Sequence, residues 1–418
     1  MLYFILFITL FCILYTSQVK AQTCSVDTFQ RNECGYAGIT QDECTSKGCC
    51  YDSSVGSSSG IPWCYSNGIN SEYSLSQLSP TDYGLQGILT ISKGQNSIYG
   101  EDIKTLKMEF LIENENYFRL KITDPNDARW EVPSQYSDRP TETHKVNEND
   151  IKYTWEINDN PFTIKVIRKS DKAIVFESSP IIAFKDQYLE ITSVFSGDMN
   201  TYGIGESTRL NHALKTNMMY TLWNIDMPAK MMDFNLYGSH PMYIHHESGS
   251  QSSYGVALYN SNGIDVALGD GYLTYKAIGG VIDLYGFLGP SPEEVVQQYT
   301  SLIGKPNLVP YWSLGFHNCR WGYEDISHVE QVVKNYSNAK IPLETQWLDI
   351  DYMDEYRDFE NDPENWSYTD VGKFIDNLHE NNQHFVEIID PGIMVYKGYD
   401  AYEQGNAANI WINGMDSN

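Results

Sequence analysis

The stretch Gln346-Trp-Leu-Asp-Ile-Asp-Tyr-Met-Asp-Glu-Tyr-Arg-Asp-Phe359 decides how its surroundings fold. It reads as a buried strand, Thr345 to Ile350, that runs into a charged loop. Side chains alternate along a strand, so Trp347, Asp349 and Asp351 are expected on one face. Two acids and an indole at a strand's end make a poor core, because unpaired buried carboxylates are costly. They make a good grip on a polyol such as a sugar ring.

Outward from that strand, residues 306–418 repeat one pattern. Trp312-Ser-Leu-Gly-Phe-His317 is a short apolar run. Asp325 then caps a helix with Val329, Val332, Val333 and Tyr336 on one stripe. After the Thr345–Ile350 strand, Thr369-Asp370 opens a second helix carrying Val371, Phe374, Ile375 and Leu378. His384-Phe-Val-Glu-Ile-Ile-Asp390 is the next strand. Strand, helix, strand, helix, strand predicts parallel βα units with right-handed crossovers. Asp349, Asp351 and Asp390 then fall at C-terminal strand ends, where a (β/α)₈ barrel keeps its chemistry. A whole barrel takes roughly 250 residues, and three strands leave an inner face and an edge uncovered. Residues 306–418 are therefore expected to be an incomplete barrel, and the sequence a fragment.

Residues 71–302 are β-rich. Gly87-Ile-Leu-Thr-Ile-Ser92, Tyr117-Phe-Arg-Leu-Lys-Ile122 and Phe162-Thr-Ile-Lys-Val-Ile167 alternate apolar and polar, and Ala173-Ile-Val-Phe176 follows the last of these across a turn. They predict a large antiparallel β-sandwich. Arg168–Lys172 reads as a hairpin turn, and so does Asn260-Ser-Asn-Gly263 between Tyr254–Tyr259 and Ile264–Leu268. Tyr202-Gly-Ile-Gly-Glu206 has the glycines of a turn or bulge, without the third glycine or basic partner of a phosphate cradle. Thr221-Leu-Trp-Asn-Ile-Asp-Met-Pro228 sets Trp223 and Asp226 in a loop, either as a packed indole with a turn-capping acid or as part of a site.

The 418 residues hold 55 acids against 28 Lys and Arg, a net charge of −27. No basic patch of the kind nucleic acid requires is present. Met1 to Tyr15 is almost wholly apolar and Val19-Lys-Ala21 follows. That run is short for a membrane span, so residues 1–21 read as a cleaved secretory signal, with an uncleaved anchor as the competitor. No other transmembrane segment is expected. Sequons stand at Asn335-Tyr-Ser and Asn365-Trp-Ser. Six of the eight cysteines crowd between Cys24 and Cys64, a density that means a disulfide framework for an oxidising compartment. Spacing alone allows 15 pairings. Cys319 reads as a small apolar residue on the first barrel strand.

Two resemblances sharpen these expectations. Arg31-Asn-Glu-Cys-Gly-Tyr-Ala-Gly-Ile-Thr40, Cys44, Cys49-Cys-Tyr-Asp52 and Pro62-Trp-Cys-Tyr65 make residues 23–67 similar to a trefoil, or P-type, domain. Its connectivity would imply Cys24–Cys50, Cys34–Cys49 and Cys44–Cys64. The second resemblance runs through Tyr202–Glu206, Trp223–Asp226 and Asn235-Leu-Tyr-Gly-Ser-His-Pro241. It continues in Leu314-Gly-Phe-His-Asn-Cys-Arg-Trp-Gly-Tyr323, Asp349–Asp354, Arg357-Asp-Phe359 and Asp390-Pro-Gly-Ile393. These segments resemble family 31 glycoside hydrolases of the trefoil-bearing kind, the lysosomal acid α-glucosidase and maltase/sucrase group.

The resemblance implies a β-sandwich with a (β/α)₈ barrel and retaining hydrolysis of α-linked glucosides. Asp349 would bond the outer hydroxyls of the glucose whose bond is cut, with Ile350, Trp321 and Ile388 walling the pocket. Asp390 would lie on the pocket floor and Asp226 would touch the leaving sugar. Asp351, Arg357 and Asp358 would form a supporting ion-pair shell. Glu360 departs from the family, which usually has Thr there. A retaining mechanism needs a carboxylate nucleophile and an acid about 5–5.5 Å apart, and the family's motifs for both would lie beyond Asn418. No catalytic residue is therefore assigned, and this length of chain is expected to be inactive. No cofactor or metal is implied. The expected partner is an α-glucan or oligosaccharide, in the lysosome or vacuole or outside the cell. The alternative is a non-catalytic secreted trefoil protein that binds glycans.

Overall fold

The computed structural model describes residues 24–412, apart from 25, 27, 29–30, 37, 56–61, 67–70, 95–98, 134–145, 196–199, 229, 231 and 233. The expected signal of residues 1–21 lies outside the described residues. The chain divides between Lys305 and Pro306 into two compact units.

The first unit opens with the cysteine-rich module. Its three short strands order as Asn32–Glu33, Cys64–Ser66, Cys50–Tyr51, beside the helix Gln41–Ser46. Thr40 and Glu43 close a capping box on that helix, with Thr40 N donating to Glu43 Oε2 at 3.0 Å. The disulfides are Cys24–Cys50, Cys34–Cys49 and Cys44–Cys64. They stand in for the core that so short a segment cannot build. Arg31 is buried 4.0 Å from the Tyr65 ring centre and pairs with Asp52 at 2.7 Å. Hydrogen bonds from Ser54, then the Arg31 guanidinium, lower the Asp52 carboxyl to about 2.

The rest of the first unit is antiparallel β-structure in two leaves. One leaf runs Asn200–Ser207, Asn235–Glu247, Ser252–Leu258, Ile282–Phe287, Tyr117–Thr123, Thr105–Ile112, Gly84–Lys93, Glu72–Thr81. The other runs Ile174–Phe184, Leu189–Val194, Tyr272–Ala277, Ile264–Gly269, Met218–Leu222. Glu72–Thr81 and Ile174–Phe184 join them through the single pair Glu72↔Ile181. Tyr73, Phe110, Phe118 and Leu284 from the first leaf share one buried cluster with Ile191, Val266 and Tyr275 from the second. Across the first leaf, Arg119 grips the buried Asp283 with two bonds of 2.6 and 2.8 Å.

The strands Phe162–Arg168 and Ile174–Phe184 form a hairpin, as the turn between them predicts. Asn260–Gly263 does not. Ser252–Leu258 pairs with Asn235–Glu247 and Ile282–Phe287, whereas Ile264–Gly269 pairs with Tyr272–Ala277 and Met218–Leu222. The segment carries the chain from one leaf to the other. The Asn260 amide donates to Gly279 O at 2.9 Å and Val281 O at 3.2 Å, while its oxygen accepts from Asn262 N at 2.8 Å. Asparagine supplies the same local turn in a crossover as in a hairpin, which is why the two look alike in sequence.

In the second unit the strands His317–Asn318, Thr345–Leu348 and His384–Glu387 are parallel and adjacent in that order. Asp325 caps the helix Ile326–Ala339 through His328 N at 2.8 Å. Ser367, two residues before the expected start, caps Tyr368–Glu380. Leu348 packs with Val329, Trp366, Phe374 and Leu378 between sheet and helices. All three strands are shorter than expected. Trp312 falls in the 3₁₀ turn Tyr311–Leu314, before the first strand. The middle strand ends at Leu348, because the Asp349 carboxylate accepts from Ile350 N at 2.8 Å and starts the 3₁₀ turn Ile350–Tyr352. The alternation that would align Trp347 with Asp351 stops there. The third strand ends at Glu387, ahead of Asp390.

Candidate functional site

The face of this sheet turned away from the helices is set by cross-strand neighbours. His317, Thr345 and His384 lie side by side in register. Trp347 is two residues on from Thr345 and so shares its face. Its indole N–H donates to His317 Nδ1 at 2.9 Å, which leaves the neutral imidazole's proton on Nε2. Trp312 stacks on the His384 ring at 4.2 Å. Just past this layer the chain turns polar at every strand end.

At the first strand's end, Cys319 is exposed and its thiol lies 3.9 Å from Asp349 Oδ2. Partial burial, and then the Asp349 charge beside it, push the thiol up from its ordinary value. This corrects the reading of Cys319 as a small apolar strand residue: it lies past the strand, against the carboxylate. Trp321 follows with 68% of its surface exposed. Its neighbour Gly322 has φ +97°, which glycine adopts at little steric cost, and donates its amide to Asp351 Oδ2 at 2.8 Å. The first two strand ends thus bring Asp349, Asp351, Cys319 and the Trp321 turn together.

Asp390, exposed beyond the third strand, is tied differently. Its amide donates to Asp358 Oδ1 at 2.9 Å, and Asp358 is buried at 2% exposure. Burial pushes the Asp358 carboxyl up, and the Asp390 charge adds to this while the amide bond opposes it. Tyr399 donates to Asp358 O at 2.6 Å. Arg357 does not pair with Asp351 or Asp358, as a common ion-pair shell would require. It binds Asp354, Glu355 at 2.8 Å and Glu360 at 2.7 Å. The three acids lie two or three residues away along the chain. Ile350 and Ile388 are half-buried and pack on the cluster around Tyr352, whose hydroxyl donates to Ile388 O at 2.8 Å.

Asp226 lies in the first unit, exposed, and accepts from the Tyr237 hydroxyl. The sequon residues are both exposed: Asn335 on its helix and Asn365 in the loop before Ser367. The site thus presents carboxylates and exposed aromatics at C-terminal strand ends, the chemistry that holds a polyol through its hydroxyls and its apolar face. Sequence reasoning placed Asp358 only in a supporting ion-pair shell and gave Tyr352 and His317 no role.

The sequence matches the glycosyl hydrolase family 31 TIM-barrel domain over residues 306–418. It also matches that family's N-terminal galactose mutarotase-like domain over residues 105–266 and the trefoil (P-type) domain over residues 24–67. These matches place the chain among the family 31 glycosyl hydrolases, in the trefoil-bearing form. It is 40% identical to a probable alpha-glucosidase of Oryza sativa subsp. japonica, across 85% of this chain and 42% of the relative. It is 39% identical to alpha-xylosidase 1 of Arabidopsis thaliana, across 79% of this chain and 38% of the relative. The fold is similar to that of the glucosidase II alpha subunit, with a TM-score of 0.72 at 19% identity over 82% of this chain and 46% of that one. The chain thus spans about two-fifths of the length of the curated relatives it matches.

Proposed function

We propose that the full-length protein is a retaining α-glucosidase that removes terminal α-linked glucose from malto-oligosaccharides or glycogen. The observation that carries this is the convergence of Asp349, Asp351 and the Trp321 turn at adjacent strand ends of a family 31 barrel domain. Asp349 accepts the outer hydroxyls of the glucose, and Asp351 holds the Trp321 turn as a wall of the pocket. Asp358 fixes the backbone of Asp390 at the pocket floor. Ile350 and Ile388 back the pocket from the core side. Asp226 contacts the sugar chain, as the resemblance implies. No carboxylate in residues 306–412 is given the role of nucleophile or acid/base.

Three disulfides in the trefoil module support the secretory route, with lysosome, vacuole or cell exterior as the destination and Asn335 and Asn365 as glycosylated positions. Among the described residues no helix is long and apolar enough to cross a membrane.

In a protein that spans the whole barrel, Asp349→Ala is expected to lower kcat/KM on maltose by about 10²-fold or more. It removes charge-assisted bonds at the reacting sugar. An unchanged rate would refute the role of Asp349. The alpha-xylosidase relative supports a second reading, α-xyloside as substrate. Rates on p-nitrophenyl α-glucoside and α-xyloside side by side separate the two.

A further inference from the structure

In the first unit, Trp223 lies between two cavities and lines both. Charged side chains, Glu206, Arg209 and Lys215, line one of them. The other, of about 600 Å³, has no Asp, Glu, Lys or Arg among the described residues that line it, although charged residues make up 20% of the chain. Such a wall in so acidic a protein selects for a neutral occupant, since an ion brought there would give up hydration with no opposite charge to replace it.

The wall is not merely apolar. Trp223 has 58% of its surface exposed and packs on Gly263, where an added Cβ would lie 2.5 Å from the indole carbon Cζ3. That contact braces a flat apolar surface. Among the described residues, three polar side chains around it have capacity left over. Asn224 accepts from the Ser239 hydroxyl through its oxygen and keeps its amide N–H groups unpaired. Asn262 spends its amide on Asn260 at 2.8 Å and keeps its oxygen. His240 meets the Tyr299 hydroxyl through Nδ1 at 3.0 Å and keeps Nε2. A donor, an acceptor and an imidazole nitrogen around an aromatic plate match a ligand with hydroxyls on its rim and C–H groups on its face.

We propose that this cavity is a binding site in its own right for a neutral sugar unit of a gluco-oligosaccharide. The Asn260–Gly263 crossover lines it together with Trp223 and Asn224. It needs no hydrolysis and stands whether or not the barrel pocket acts on maltose.

The test is calorimetric titration of the full chain with maltotriose, in parallel with three variants. Asp349→Ala is expected to keep a saturable binding event. Asn224→Asp keeps the acceptor for Ser239 but turns a free donor into a charge, and is expected to weaken that event at least about tenfold. Trp223→Phe is expected to weaken it less than Asn224→Asp, by keeping a smaller plate. If Asp349→Ala abolishes all binding, or if Asn224→Asp leaves the affinity unchanged, the sugar site is refuted and the barrel reading is untouched.

Discussion

Replacing Asp351 by alanine removes one hydrogen bond from the turn that presents Trp321, the 2.8 Å contact from the Gly322 amide. Glycine has more backbone freedom to lose than any other residue, so an anchor at Gly322 has more disorder to suppress than it would elsewhere. A hydrogen bond to a charged group contributes about 1.5–3 kcal/mol, and about 1.4 kcal/mol is a tenfold change in an equilibrium. Water competes for this exposed pair, so the lower end applies and the local opening equilibrium should rise about tenfold. Hydrogen exchange at the Gly322 amide, followed by NMR, reads that change directly. Asp358→Ala is the matched control. It should speed exchange at the Asp390 amide and leave Gly322 as it was. An unchanged Gly322 rate in Asp351→Ala would show that the turn is ordered by something other than this bond. A rise shared equally by amides throughout the second unit would show loss of the fold instead.

Two further outcomes concern stability. His245 is fully buried, stacked on Phe195 at 4.9 Å and beside Tyr254, with Nδ1 3.2 Å from the Thr201 hydroxyl. Burial lowers its pKa, with Glu247 opposing and His246 adding to the effect. The unfolded chain therefore binds the proton first. Stability is complete above the ordinary histidine value of about 6.5 and falls as pH drops below it. Replacing His245 by Gln should flatten the melting temperature below that point, and an unaltered slope would assign the acid sensitivity elsewhere. Asp283→Ala leaves Arg119 the weaker contact with Glu113 at 3.7 Å, and is expected to cost about 3–5 kcal/mol by urea denaturation. Arg119→Met with Asp283→Leu should cost much less; equal losses would mean that shape, not the stranded charge, sets the penalty.

The helices of the second unit were legible because Val329, Phe374 and Leu378 repeat at helical spacing and meet Leu348 in one cluster. The strand ends were not. Alternation carried the middle strand through Ile350, but the Asp349 carboxylate captures the next amide and turns the chain. That choice depends on a side-chain torsion, which a pattern of residue types does not encode. The partners of Arg357 were hidden for a related reason: Asp358 is its neighbour in the chain, yet the guanidinium reaches Asp354, Glu355 and Glu360 instead. Cys319 shows the cost of a one-residue error in a strand boundary. It changes from core filler to the neighbour of the Asp349 carboxylate. Asn260–Gly263 carries a true turn signal, yet which strands a turn joins is settled by the leaves it connects.

The pairing of Tyr117–Thr123 with Ile282–Phe287 has a consequence in time. The Arg119–Asp283 bond within it closes a separation of 164 residues. At about 5–20 residues per second, ribosomal synthesis takes roughly 10–30 s to deliver the second strand after the first. For that interval the Tyr117–Thr123 strand, buried at Phe118, Leu120 and Ile122 in the finished protein, shows an unpaired apolar edge to the compartment it enters. The nascent chain is then a client for chaperones, and its yield depends on how well that one edge is kept from other chains until residue 287 arrives.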